Sequence, residues 1–340
     1  MSEAILAIVM KLTLAMAADS EATLLFAGDA MMHQAQIDAA YRSPGTYDYS
    51  ACFDKVRPLI GNADYAVVNL ETPLGKSGFT GYPCFNAPVS YACALRDAGF
   101  DLFLTANNHT LDRRDKGLKH TIAALDSLGV HHVGTYVNAG ERERSIPFIK
   151  EIKGFKIGFL NYTYGTNGIS VKGDVVVDYI DRERMAADVR ATRENGAELI
   201  VVAMHWGDEY VLLPVGSQRK LADYLVSLGV DMIIGGHPHV VQPFEMRQNP
   251  LTGRNVLVTY SLGNFISNMK TRDTRGGALV EVTLSRDSVG AAIVSDARYH
   301  HVFTVPPSAS NRNFVVYPLD SVPAQWQQAA RAFAGSLKKL

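Results

Sequence analysis

Apolar residues in this chain fall into short runs that stop abruptly at a polar side chain. LLFAGDAMMH (24–33), YAVVNLE (65–71), LFLTANNH (102–109), LIVVAMHWGDEY (199–210) and MIIGGHPHV (232–240) each read as a strand delivering a carboxylate, amide or imidazole to a sheet edge. Between these runs lie stretches with helical spacing, such as Leu118, Ile122, Leu125 and Leu128 in DKGLKHTIAALDSLG (115–129). SYACALRDAG (90–99), DRERMAADVRATRENG (181–196) and SQRKLADYLVSLG (217–229) have the same form. All four end on or just past a glycine, the residue that most readily takes the left-handed conformation closing a helix. From about residue 255 the alternation gives way to NVLVTYSLGNF, GGALVEVTL and AAIVSDARYHHVFTV, strands in close succession. The pattern predicts one layered α/β domain over 22–305, completed by a hairpin or added sheet. A tail at 306–340 follows, with an amphipathic helix over 324–339.

Composition changes this picture little. Lys plus Arg number 33 against 34 Asp plus Glu, which offers no basic surface for nucleic acid, so no nucleic-acid partner is expected. Cys52, Cys84 and Cys93 are odd in number and irregularly spaced, so neither a metal pattern nor a disulfide framework is implied. Buried free thiols are the expectation. Residues 4–17, AILAIVMKLTLAMA, with Ala15-Met16-Ala17 resembling a cleavage site, suggest an export leader within 1–21. Glu3 ahead of the stretch and Lys11 inside it speak against a leader, and both readings stay open. The stretch is too short and interrupted to span a bilayer.

The strand ends carry the chemistry. Five of the ten histidines, His33, His109, His205, His237 and His239, lie at or just beyond them. Asp29 follows an apolar run, at the carboxyl edge where ligands of open α/β sheets bind, although Gly-Asp there also suits a helix cap. Asn69 and Glu71 are two apart and share a face of an extended strand. Asn107-Asn108-His109, with Asp112 three residues on, offers a neutral oxygen donor beside a histidine free for acid–base work. His237 and His239 flank Pro238 behind Gly235 and Gly236, and an H-x-H on an extended segment suits Zn, Mn, Fe or Ni. Asn264, in SLGNF, stands ready to hydrogen-bond a ligand or simply to form a turn. His120, His131, His132, His300 and His301 lack the strand-end context. Together the five runs imply one metal site assembled from five segments.

GDAMMH, NLE, TANNHTLD, MHWGDEY, GGHPHVVQP and YSLGNF, in this order over roughly residues 22–270, resemble the CapA family of capsule and poly-γ-glutamate synthesis proteins. That family is similar to the calcineurin-like metallophosphoesterases. The resemblance therefore implies a β-sandwich flanked by helices, a four-layer αββα fold, with two divalent metal ions (Mn, Fe or Zn) on the strand-end loops. It implies Asp29, His33, Glu71, Asn108, His205, His237 and His239 as metal ligands, and His109 as the non-ligand catalytic histidine. The first motif reads D-x-x-x-H here, against D-x-H in ordinary phosphoesterases, and Glu71 stands where a bridging Asp is usual. The implied activity is metal-dependent phosphoesterase-type hydrolysis, with a phosphoester or an anionic polymer as substrate. Two alternatives remain: a non-catalytic accessory subunit of a polymer synthesis or export complex, and a metal-dependent amide hydrolase. The implied partners are capsule or poly-γ-glutamate synthase components at the membrane. A capsule role points to an extracytoplasmic or membrane-associated place, whereas the poor leader and unpaired cysteines point inward.

Overall fold

A computed structural model describes residues 21–250, 252–309 and 311–338. Residues 1–20, and with them the leader reading, lie outside the described residues.

The chain first lays down β1 (Ala22–Ala30), β2 (Tyr65–Leu70), β3 (Leu102–Leu104) and β4 (His131–Val133) as parallel neighbours. Helices α1 (Gln34–Ala40), α2 (Val89–Ala98) and α3 (Arg114–Leu128) lie in the connections. A second sheet follows from β5 (Phe148–Ile152), β6 (Phe155–Thr163), β7 (Leu199–His205), β8 (Met232–Gly236), β9 (Phe244–Gln248) and β10 (Asn255–Thr259). Its spatial order is β5-β6-β7-β8-β10-β9, with crossovers α4 (Arg182–Glu194) and α5 (Gly216–Ser227). The chain then returns to the first sheet through β11 (Asn264–Ile266), β12 (Gly276–Arg286), β13 (Ala292–Val305) and β14 (Val315–Pro318). The first sheet runs β14-β13-β12-β1-β2-β3-β4, and β11 pairs with the end of β1.

Successive side chains of a strand point to opposite faces, and here both faces of the central strands are covered. Leu24 and Phe26 of β1 join Val67 and Leu102 in a core shared with Ile157, Phe159, Val201 and Ile234 of the second sheet. Their alternates Leu25 and Ala27, with Val68 and Phe103, pack on Tyr91 and Leu95 of α2 and Leu125 of α3. On the far side, Leu160, Val202 and Ile233 meet Met185 and Val189 of α4 and Ala222 and Leu225 of α5. The result is the expected four-layer helix–sheet–sheet–helix sandwich. Gly99 and Gly129 close α2 and α3 in left-handed conformation, and the Asp181 side chain accepts from the Arg184 N–H to start α4.

Residues 306–309 and 311–338 are built into this body. Strand β14 forms an edge of the first sheet, and helix α6 (Gln327–Leu337) buries Ala330 and Phe333 in the inter-sheet core. Gly276 makes room for that helix: a Cβ there would lie 2.4 Å from the Phe333 ring. Phe333→Ala is accordingly expected to lower the unfolding free energy by about 3–5 kcal/mol, read from urea denaturation. A change under about 0.5 kcal/mol would mean that the helix is not part of the cooperative unit.

The three cysteines are free, and burial holds for Cys52 only: Cys84 is exposed and Cys93 half-buried. Among the described residues no helix is long and apolar enough to cross a membrane.

Candidate metal centre

Parallel pairing brings the carboxyl ends of the central strands to one edge of each sheet, and side chains from the two edges meet. Asp29 of β1 lies in register with Asn69 of β2 and Asn264 of β11, and His205 of β7 with Gly236 of β8. Two glycines let the backbones close in. A Cβ at Gly28 would stand 2.0 Å from the Gly263 carbonyl oxygen, and one at Gly235 1.9 Å from that of Tyr260.

The side chains converge as follows. Asp29 Oδ1 accepts from Asn69 Nδ2 at 2.8 Å; Oδ2 accepts the His237 backbone N–H at 3.2 Å and lies 3.2 Å from His239 Nδ1. Glu71 Oε1 lies 3.7 Å from His205 Nε2 and 3.8 Å from His239 Nε2. His205 Nε2 is also 2.9 Å from Asn108 Oδ1. These donors form two overlapping groups, Glu71–His205–His237 and Asp29–Glu71–His239, in each of which the ligand atoms lie within 4.8 Å of one another. Glu71 belongs to both. Among the described residues Glu71 Oε1 and His237 Nδ1 are buried without any hydrogen-bond partner, a costly state for a polar atom unless something binds there.

Electrostatics point the same way. Burial pushes the Glu71 carboxyl well above its ordinary range, and the Asp29 charge adds to the shift. Burial alone would raise Asp29 too, but the hydrogen bond and charge of His239, with His205 and Asn69, outweigh it and hold the carboxyl low. Burial, reinforced by neighbouring imidazoles, carries His237 down to about 4 and His205 well below its ordinary value. Neutral imidazoles and two carboxylates enclosed from water form a donor set that suits a divalent cation.

His109 stands apart from both groups. Its Nδ1 lies 2.8 Å from Asp112 Oδ2, which also accepts the Phe85 N–H at 2.7 Å. The tautomer in which Nδ1 donates to Asp112 leaves Nε2 without a protein partner among the described residues. The ring packs on Phe85, with centroids 4.4 Å apart.

His33 is not brought into either donor group. It sits at the N-cap of α1, where its Nδ1 accepts the Asn268 N–H at 3.3 Å and lies 3.3 Å from Gln36 Oε1. Burial, opposed by Gln36 and helped by His239 and His109, lowers it to about 4. The chain has already turned away from β1 by residue 33, which is what the D-x-x-x-H spacing produces. The H-x-H segment is also not extended: φ is 97° at His237 and 57° at His239. The tight turn nevertheless keeps the two rings 5.9 Å apart.

Several contributors were not visible as such in the sequence. Glu209 forms a third donor grouping with His237 and His239. Tyr164 sets its ring 4.6 Å from that of His237, while Asn264, which the sequence did single out, places Oδ1 3.0 Å from His239 Nδ1. Asn161 accepts the Ala106 N–H at 2.8 Å, tying the Asn108 loop to the second sheet. Phe85 and Tyr164 come from irregular segments, where no periodicity reports position.

The family model for bacterial capsule synthesis proteins, PGA_cap, matches residues 23–269. The chain belongs to this family. Among its relatives, a capsule biosynthesis protein CapA of Bacillus anthracis is 31% identical over 293 residues, covering 80% of this chain and 66% of the relative. A PGA biosynthesis protein CapA of Bacillus subtilis (strain 168) is 27% identical over 289 residues, 83% of this chain and 72% of the relative. A probable polyglutamine synthesis accessory protein of Mycobacterium tuberculosis is 25% identical over 209 residues, covering 54% and 52%. The chain thus spans just under two thirds of the first relative's length. Among solved structures, TT1561 of Thermus thermophilus superposes with a TM-score of 0.43 at 8% identity, over 82% of this chain and 98% of that one. The sulfate thiohydrolase SoxB of the same organism gives 0.45 at 12% identity, over 92% and 59%. Likenesses this distant carry no functional weight.

Proposed function

We propose that this member of the capsule synthesis family is a metal-dependent hydrolase of the phosphoesterase type, serving capsule or poly-γ-glutamate synthesis. The observation that carries the reading is Glu71, a fully buried carboxylate with an unpartnered Oε1 that is common to two donor groups. Asp29, Glu71 and His239 would hold one ion, and Glu71, Asn108, His205 and His237 a second, with Mn, Fe or Zn matching these nitrogen and oxygen donors. Two such ions supply an activated water and a positive clamp for the oxygens of a phosphoryl group.

The remaining work falls to the chain's own side chains. His109, with Nδ1 committed to Asp112, hands a proton from Nε2 to the departing oxygen. Asp112 keeps the ring oriented through its contact with Nδ1. Asn69 and Asn264 hold Asp29 and His239 in place by hydrogen bonds, and Gly235 and Gly236 let the H-x-H turn reach them. The names of the relatives, capsule and PGA biosynthesis proteins, support a place in capsule or PGA synthesis. Synthase components at the membrane as partners, an extracytoplasmic or membrane-associated place, and a phosphoester or anionic polymer as substrate complete the reading.

The test is turnover by the full chain with Mn²⁺ against bis(p-nitrophenyl) phosphate, p-nitrophenyl phosphate and poly-γ-glutamate. Phosphoester cleavage that EDTA abolishes is the expected result. Release of glutamate oligomers alone would replace it with amide hydrolysis. Bound metal without turnover of any of the three would favour the accessory role named for the Mycobacterium tuberculosis relative.

A further inference from the structure

We propose that Glu209 is a ligand closing the metal centre on its solvent side, and that it gives way to an incoming oxyanion. The inference rests on the metal-dependent reading above and adds a residue to it.

Glu209 is exposed, yet its position is not that of a free loop. It lies four residues past the end of β7, in a turn fastened on both sides. Trp206 is buried, its indole N–H donating to the Tyr260 carbonyl at 2.9 Å and its backbone N–H to Gly236 at 3.1 Å. On the other side of Glu209, the Tyr210 N–H donates to the Pro238 carbonyl at 2.8 Å. Tyr210 accepts a left-handed φ of 66° in doing so, a conformation that a bulky residue rarely adopts without compensation. The turn is thereby clipped to the segment that carries His237 and His239.

This placement sets a Glu209 carboxylate oxygen within 4.8 Å of ligand atoms of both His237 and His239. His237 also belongs with Glu71 and His205, and His239 with Asp29 and Glu71. Glu209 therefore links the same two donor groups that Glu71 links, Glu71 from the buried floor and Glu209 from the solvent side. The buried, unpartnered Nδ1 of His237 is an independent sign that this part of the cluster awaits a ligand. A carboxylate at the mouth and the oxygens of a phosphoryl group are the same kind of hard donor and compete for the same seat.

Two effects of opposite sign follow. Removing the Glu209 donor should weaken cation binding and strengthen binding of an anion to the loaded site. Glu209→Gln keeps size and polarity, and Asp208→Asn, one residue away and also exposed, removes an equal charge without touching the cluster. Titration of the full chain with Mn²⁺ should show binding weakened by about tenfold or more in Glu209→Gln, with Asp208→Asn close to wild type. At saturating Mn²⁺, inorganic phosphate should bind Glu209→Gln more tightly than wild type. Glu209→Asp, which retains the charge on a shorter arm, should fall between them in Mn²⁺ affinity. Unchanged Mn²⁺ affinity in Glu209→Gln, or an equal effect from Asp208→Asn, would overturn ligation. Weakened Mn²⁺ with unchanged phosphate affinity would overturn displacement by an oxyanion. A wild-type chain that takes up no Mn²⁺ at all would instead overturn the metal centre itself, and the present inference with it.

Discussion

His109→Asn is expected to lower phosphodiester turnover by about 10²–10⁴-fold, the usual contribution of a positioned acid–base group, while metal content stays at the wild-type level. The separation follows from the geometry. His109 is in none of the donor groups, its Nδ1 is committed to Asp112, and Phe85 packs against the ring. Its replacement leaves Asp29, Glu71, His205, His237 and His239 their mutual contacts. Asp112→Asn should lower turnover as well, because an amide can donate to Nδ1 and so favours the tautomer with the proton on Nε2. The measurement is kcat beside metal stoichiometry by elemental analysis, with Asp29→Ala and His237→Ala as variants that should lose metal and turnover together. Equal metal loss in His109→Asn and in those two would remove the division of roles.

The second large effect concerns Glu71. Glu71→Gln should abolish stoichiometric binding of both ions, since this carboxylate is common to both donor groups, whereas Asp29→Ala and His205→Ala each disrupt only one. A thermal readout separates this from misfolding. Mn²⁺ at about 100 times its dissociation constant should stabilise the wild-type chain by about 2.7 kcal/mol for each ion bound, because the ion binds the folded state alone. Glu71→Gln should show no such gain. Its metal-free form should be at least as stable as metal-free wild type, because the amide replaces a carboxyl whose charged form is disfavoured by burial and by Asp29. Retention of one full equivalent of metal by Glu71→Gln would show that the two groups do not share it.

Much of this protein could be read from short stretches of chain. The helices at 90–99, 115–129, 181–196 and 217–229 lie within a few residues of α2, α3, α4 and α5, because apolar spacing and a terminal glycine are local instructions. Asp29, Glu71, Asn108, His205, His237 and His239 were each legible as polar groups at or just beyond the ends of apolar strands, and all six meet where the carboxyl edges of the two sheets face each other. Parallel strands aligned through crossovers must present their carboxyl ends together within each sheet, so the grouping of three donors on each side follows from the pattern.

The set of elements and the inventory of donors are local properties, since both depend on residues within a few positions of one another. How the donors are shared depends on packing between distant segments. Glu71 joins two groups, and His33 falls outside them because its helix turns off β1 and its ring is held by Gln36 and Asn268. Glu209 enters because a hydrogen bond from Tyr210 to Pro238 draws its turn over His237 and His239. The same holds for Phe333, which reaches the inter-sheet core only because Gly276, far away in the chain, leaves space for a ring. Such separations of a few ångströms depend on how two sheets pack and how loops are clipped together, and no periodicity within a single segment encodes them.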